Sequence, residues 1–180
     1  MQDAVLNNLV NCVNQRIYPW GLGMGILGET WRANTTLGNP VPVWIPDEGN
    51  ALRESYFCHG WALGTYQLHG YTVFSGPALA TVLADEWYLV MVPAPGDICV
   101  WFGVAGPHMS TPLHSARVYA VGGVGGEMLL TSKNGTAPLG GPQPFAAVNA
   151  IYGAPPHNCA ARMFYRRNVP LGVVLPLLPE

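Results

Sequence analysis

A chain of 180 residues can build one domain with a substantial core and gives no length argument for two, so residues 1–180 are read as a single domain. Eight Lys and Arg against ten Asp and Glu leave a net charge of −2, with no basic stripe to neutralise a run of phosphates, which excludes nucleic acid as the expected partner. Charged residues are 10% of the chain against roughly 25% in ordinary soluble domains, and 22 Gly and 17 Pro punctuate it, which favours a loop-rich α+β fold with an apolar surface.

The N-terminus, Met1-Gln2-Asp3-Ala4-Val5-Leu6-Asn7, lacks the basic start and long apolar run of a secretory signal. The expectation is synthesis in the cytoplasm, with any export left to specialised secretion machinery. Asp3 can cap a helix over about residues 4 to 15, with Val5, Leu9, Cys12 and Val13 on one face. From Tyr18 to Asn50 the chain is dense in Gly, Pro, Asn and Trp without a sustained period, which predicts mostly loops with short strands, able to shape a cleft. Residues 58 to 68 read as a helix ended by Gly70, and Tyr71 to Phe74 as a short extended piece. Ser75-Gly76-Pro77 then opens a helix near Ala78 to Leu83. Strands are predicted at about 87 to 92, 97 to 103, 113 to 121 and 126 to 132. The last two form a hairpin around Gly122-Gly123-Val124-Gly125-Gly126, which lacks the Gly-Lys-Ser/Thr of a phosphate loop. A final strand spans about Arg162 to Arg166. The tail, Val169 to Pro179, is too short and too interrupted by Pro to span a membrane; it reads as an extended segment across its own domain, with partner docking as the alternative.

Four cysteines, Cys12, Cys58, Cys99 and Cys159, stand far apart with neither a Cys-x-x-Cys pair nor zinc-finger spacing, so neither a disulfide framework nor a cofactor is expected. Cys99 lies inside Ile98-Cys99-Val100-Trp101-Phe102 and reads as a buried, inert thiol; Cys12 falls on the face of the first helix; Cys159 has no assignment. Cys58 differs, because Phe57-Cys58-His59-Gly60-Trp61-Ala62 puts a thiol where a loop turns into a helix. A thiol is a useful nucleophile only as thiolate, which a helix N-terminus or an adjacent imidazole stabilises. Gly60 and Ala62 let backbone N–H groups approach an oxyanion. Tyr56, His59, Gly60 and Trp61 are read as oxyanion or substrate-binding surroundings, core packing being the alternative for Tyr56. His59 adjoins Cys58, but neighbouring side chains on a helix or strand point in different directions, so its pairing with the thiol reads as awkward. His69 is about three turns away, and His108 and His157 lie in Pro-rich loops. His114 opens a strand on the parity of Ala116 and Val118 and is the favoured base. Asp97, in Pro95-Gly96-Asp97, reads as a turn carboxylate that bonds backbone N–H groups.

The order Cys58-His59-Gly60-Trp61-Ala62, Pro95-Gly96-Asp97-Ile98-Cys99-Val100-Trp101-Phe102, His114-Ser115-Ala116-Arg117-Val118 and Leu129-Leu130-Thr131-Ser132-Lys133-Asn134-Gly135 resembles the NlpC-like branch of papain-fold cysteine peptidases over about residues 55 to 135. The resemblance implies an α+β papain-like fold, helices packed on a mostly antiparallel sheet, with Cys58 as nucleophile and His114 as general base and acid. The family's third group, a His, Asn or Gln that orients the imidazole, falls between Ser132 and Asn134. No His stands there, and Asn134, ahead of Ser132, has the side chain to accept from an imidazole N–H, unless Lys133-Asn134-Gly135 is only a turn. The implied substrate is a peptide, with cell-wall peptidoglycan the family's usual one. A small member without a signal also resembles antibacterial effectors, whose partners are immunity and delivery proteins. Three alternatives stay open: a thiol acyltransferase of the same superfamily, an inactive papain-like binding module, and a metal site built from Cys58, His59, His69 and His114.

Overall fold

The computed structural model describes residues 7–20, 24–46, 58–64, 76–103, 112–122, 126–134, 139–155, 157–159 and 161–168. The expectations for Tyr56, His69, His108, Tyr71 to Phe74 and the tail from Val169 lie outside them. In chain order the elements are β1 (Asn7–Trp20), β2 (Met24–Asn34), β3 (Pro40–Pro46), α1 (Cys58–Leu63), α2 (Gly76–Glu86), β4 (Trp87–Val90), β5 (Ile98–Phe102), β6 (Pro112–Ala120), β7 (Leu129–Ser132), β8 (Gln143–Pro144), α3 (Phe145–Gly153) and β9 (Ala161–Arg167). The fold is α+β with few helices, and every strand pairing among the described residues is antiparallel.

The predicted helix over 4 to 15 is a correction: residues 7–20 form β1, paired with β2 from Asn7↔Asn34 to Trp20↔Met24. The apolar spacing that suggested a helix coexists with Asn7, Asn8, Asn11 and Asn14, whose side chains compete with helical backbone bonds, and pairing across the sheet prevails over local period. The region from Tyr18 to Asn50, expected as loops with short strands, is instead dominated by long paired strands in the order β1-β2-β3. The β2–β3 turn is held to the C-terminal end of α2. Thr35 Oγ1 donates to Asp85, Asn39 Nδ2 donates to the same carboxylate at 2.9 Å, and Thr36 N–H donates to Glu86 Oε1 at 3.1 Å.

The second sheet runs β4-β9-β5-β6-β7-β8. Apart from β8, its strands fall close to where the sequence places them, as short runs rich in apolar and aromatic residues. β5 is the strand covered on both faces: all five residues are buried, and alternate side chains enter different cores. Ile98, Val100 and Phe102 join Ala62 and Leu63 of α1, Leu79, Val82 and Leu83 of α2, and Val41 of β3. Cys99 and Trp101 join Ala116 and Val118 of β6, Leu130 of β7, and Val148 and Tyr152 of α3. Each large side chain fully buried this way contributes roughly 1.5–3 kcal/mol.

Two helix lengths differ from expectation. α2 is longer than residues 78 to 83, starting with Gly76-Pro77 and ending at Glu86. α1 stops at Leu63 rather than near 68, because Gly64 takes a left-handed φ of 75° and its N–H donates to Trp61 C=O at 3.0 Å. β8 and α3 were not anticipated, although Phe145, Val148 and Tyr152 carry the spacing of a buried helical stripe.

Candidate active site

α1 is fixed to the sheet through Trp61. Its indole N–H donates to Thr131 C=O at 3.3 Å, its carbonyl accepts from Arg117 Nε at 3.1 Å, and the Arg117 guanidinium lies 5.6 Å from its ring centre. Trp61, expected among the substrate-binding surroundings, thus anchors the helix that begins with Cys58. Gly60 and Ala62 are buried beneath it.

Ser115 and Arg117 share a parity on β6 and face α1, while His114 has the opposite parity, together with Ala116 and Val118. β7 pairs with β6 only as far as Ser132↔Ala116, so His114 and Ser115 lie beyond the last residue that β7 covers. Side chains from both faces of β6 can therefore approach the start of α1, where Cys58 stands.

The first of them corrects an expectation. His59 does reach the thiol: its Nδ1 is 3.7 Å from Cys58 Sγ. The ring is buried, and the same Nδ1 is 2.8 Å from Ser115 Oγ, whose side chain is fully enclosed. Adjacent residues diverge at Cβ, but a first-turn ring drawn down onto Ser115 passes beside its neighbour's sulfur.

His114 is buried among aromatic rings. It stacks on Tyr152 with centroids 3.7 Å apart and planes 12° off parallel, and lies 5.4 Å from Trp101. Its Nε2 has no hydrogen-bond partner among the described residues. Asn134, expected to orient that imidazole, instead accepts the Tyr152 hydroxyl on Oδ1 at 2.6 Å. Asn134 thus reaches His114 only through the stacked ring. Ser132 stands one pair away, opposite Ala116.

Electrostatics separate the three thiols whose surroundings are described. Burial alone would raise the Cys58 pKa; the charge of His59, then that of His114, and hydrogen bonds from both rings outweigh it and hold the thiol well below its ordinary range. Burial pushes Cys99 far up, only partly opposed by Arg162, and burial also raises Cys159. Tyr152 is pushed up by burial and then by the negative charge of Cys58 and of Cys159. The six residues of α1 are too few for the helix end to matter much beside two imidazoles.

No family model, curated protein or solved structure matches this chain. The site's chemistry therefore rests on its own geometry: a thiol with the His59 imidazole 3.7 Å from its sulfur, and under the charge of His114 as well, is equipped to lose a proton and attack an electrophilic carbon.

Asp97 and the exposed His157 stand apart from that chemistry. Asp97 accepts Ala94 N–H at 2.7 Å and both Nε and Nη2 of Arg166 at 2.8 Å, as a turn carboxylate should. Gly96, at φ 91°, donates to Val118 C=O and completes the turn. His157 lies 5.0 Å from the Tyr152 ring. Among the described residues no group of three His, Cys, Asp or Glu could hold a metal ion, and no helix is long and apolar enough to cross a membrane. Ser115 and Tyr152 are the members that sequence reasoning missed. Ser115 stood inside the quoted His114-Ser115-Ala116 motif, and Tyr152 on the overlooked stripe of α3.

Proposed function

We propose that the protein is a cysteine hydrolase of the papain-like, NlpC-like type that cleaves an amide bond. The supporting observation is the contact of Cys58 Sγ with His59 Nδ1 at 3.7 Å, where the charges of His59 and His114 lower this thiol while burial raises Cys99 and Cys159. Cys58 attacks the carbonyl carbon, its proton having passed to an imidazole. His114 protonates the leaving amine, and a water deprotonated by the same ring then hydrolyses the thioester. Backbone N–H groups of the first turn of α1 are the oxyanion donors in this reading.

The motif resemblance over about residues 55 to 135 directs the substrate proposal to peptide bonds of bacterial peptidoglycan, and the biological proposal to an antibacterial effector that an immunity protein would block. The test directs wild-type protein and Cys58→Ala to the bacterial periplasm and digests purified peptidoglycan with each. Wild-type protein is expected to arrest growth and release muropeptides, and Cys58→Ala to do neither. Equal toxicity of the two, or none in either with no product released, overturns the cell-wall assignment.

A further inference from the structure

The imidazole in contact with the sulfur is not the one that the motif order favours, and it is held by a partner suited to proton exchange. His59 Nδ1 lies between Cys58 Sγ at 3.7 Å and Ser115 Oγ at 2.8 Å, with both His59 and Ser115 buried. Burial makes an unsatisfied ring nitrogen costly, whichever protonation state the ring is in. A hydroxyl can donate or accept, so it satisfies Nδ1 in both. When Nδ1 is bare, Ser115 O–H donates to it; when Nδ1 carries a proton, Ser115 Oγ and the sulfur are both acceptors. A carboxylate there would hold the ring in one state, and a carbon side chain would support neither.

We propose that His59 is a second catalytic base that takes the Cys58 proton, and that Ser115 is its positioning residue. The S–H bond breaks and an N–H bond forms at Nδ1, giving a thiolate and an imidazolium, while Ser115 turns from donor to acceptor. His114, stacked on Tyr152 on the other face of β6, enters as imidazolium: it gives its proton to the leaving amine and recovers one from the attacking water, and His59 returns its own proton to the sulfur when the thioester is cleaved. Among the described residues, the charged and titratable groups on the elements around the thiol are His114 and Arg117 on β6, Lys133 after β7 and Tyr152 on α3; Arg117 Nε donates to Trp61 C=O and the Tyr152 hydroxyl donates to Asn134 Oδ1. The proposal rests on Cys58 being the activated thiol.

The test needs no substrate. Alkylation of Cys58 by iodoacetamide is followed across pH by peptide mass spectrometry in wild type, Ser115→Ala, Ser115→Thr, His59→Gln and His114→Gln. Ser115→Ala and His59→Gln are expected to move the Cys58 midpoint upward, slowing alkylation at the acid end about tenfold for each unit of movement, and Ser115→Thr to restore the wild-type profile. Superimposed profiles for wild type, Ser115→Ala and His59→Gln, with Cys58 still fast, overturn the proposal and leave the thiol hydrolase standing. A wild-type Cys58 no faster than Cys159 overturns both. If Ser115→Ala unfolds the chain, seen as alkylation of the buried Cys99, the His59→Gln profile decides alone.

Discussion

At the scale of single residues, the sequence made Cys58 and His114 visible because each stands at or near the start of an element, while the geometry around them depended on contacts distant in sequence. Asn134 was found by its side-chain chemistry and its position near the end of β7, but its bond goes to Tyr152, a residue 18 positions on. That bond has a testable consequence. If Asn134 supports catalysis by steadying the ring stacked on His114, Asn134→Ala and Tyr152→Phe each remove the same hydrogen bond. Each is expected to cost about 0.5–1.5 kcal/mol of stability, and the double variant to digest peptidoglycan no more slowly than either single one. Additive losses in turnover would show that Asn134 acts by another route. His59 is the reverse case. Alternation of neighbouring side chains argued it away from the thiol, and only the pairing of α1 with β6 reveals the serine that draws it back.

At the scale of elements, legibility followed how local the determinants were. The strands β4 to β7 and β9 are short runs rich in apolar and aromatic residues, and they form close to where the sequence puts them. β1 is a strand because of what it pairs with, and no local pattern carries that information. The early end of α1 belongs between these cases: the sequence reads Gly64 as a helix interior residue, but its φ of 75° makes it a terminator. Gly64→Ala forces a side chain into left-handed backbone and should cost about 1–2 kcal/mol, read as a lower denaturant midpoint. A midpoint equal to wild type would mean that the turn relaxes without cost. Trp101 tests the sheet in the same way. It is buried between β5, β6 and α3 and its indole N–H donates to Asn149 Oδ1 at 3.3 Å, so Trp101→Ala should cost about 3–5 kcal/mol and loosen the packing around His114.

At the scale of the whole molecule, the two apolar cores on either face of β5 place the nucleophile's helix on one side and the aromatic cradle of His114 on the other. The site lies where β7 stops covering β6, so it depends on sheet architecture as much as on any motif. The Asp97–Arg166 pair ties β9 to the turn before β5 and helps hold that architecture. Arg166→Met leaves a buried carboxylate without its cation, so it should lower the thermal midpoint more than the double variant Asp97→Asn/Arg166→Met does. The reverse order would show the pair to be dispensable.

The central claim is that this fold activates Cys58 and silences Cys99 and Cys159, and pH separates the two fates. A lowered pKa keeps thiolate present as pH falls below the ordinary thiol range of about 8.5, whereas a raised pKa removes it, about tenfold per unit. The most direct measurement is competitive alkylation of the native protein at about pH 6, with Cys58 and Cys159 quantified in the same digest. The account predicts that Cys58 is modified faster by a factor of at least about 100, since its thiolate persists where that of Cys159 is nearly absent. Equal modification of the two would contradict it.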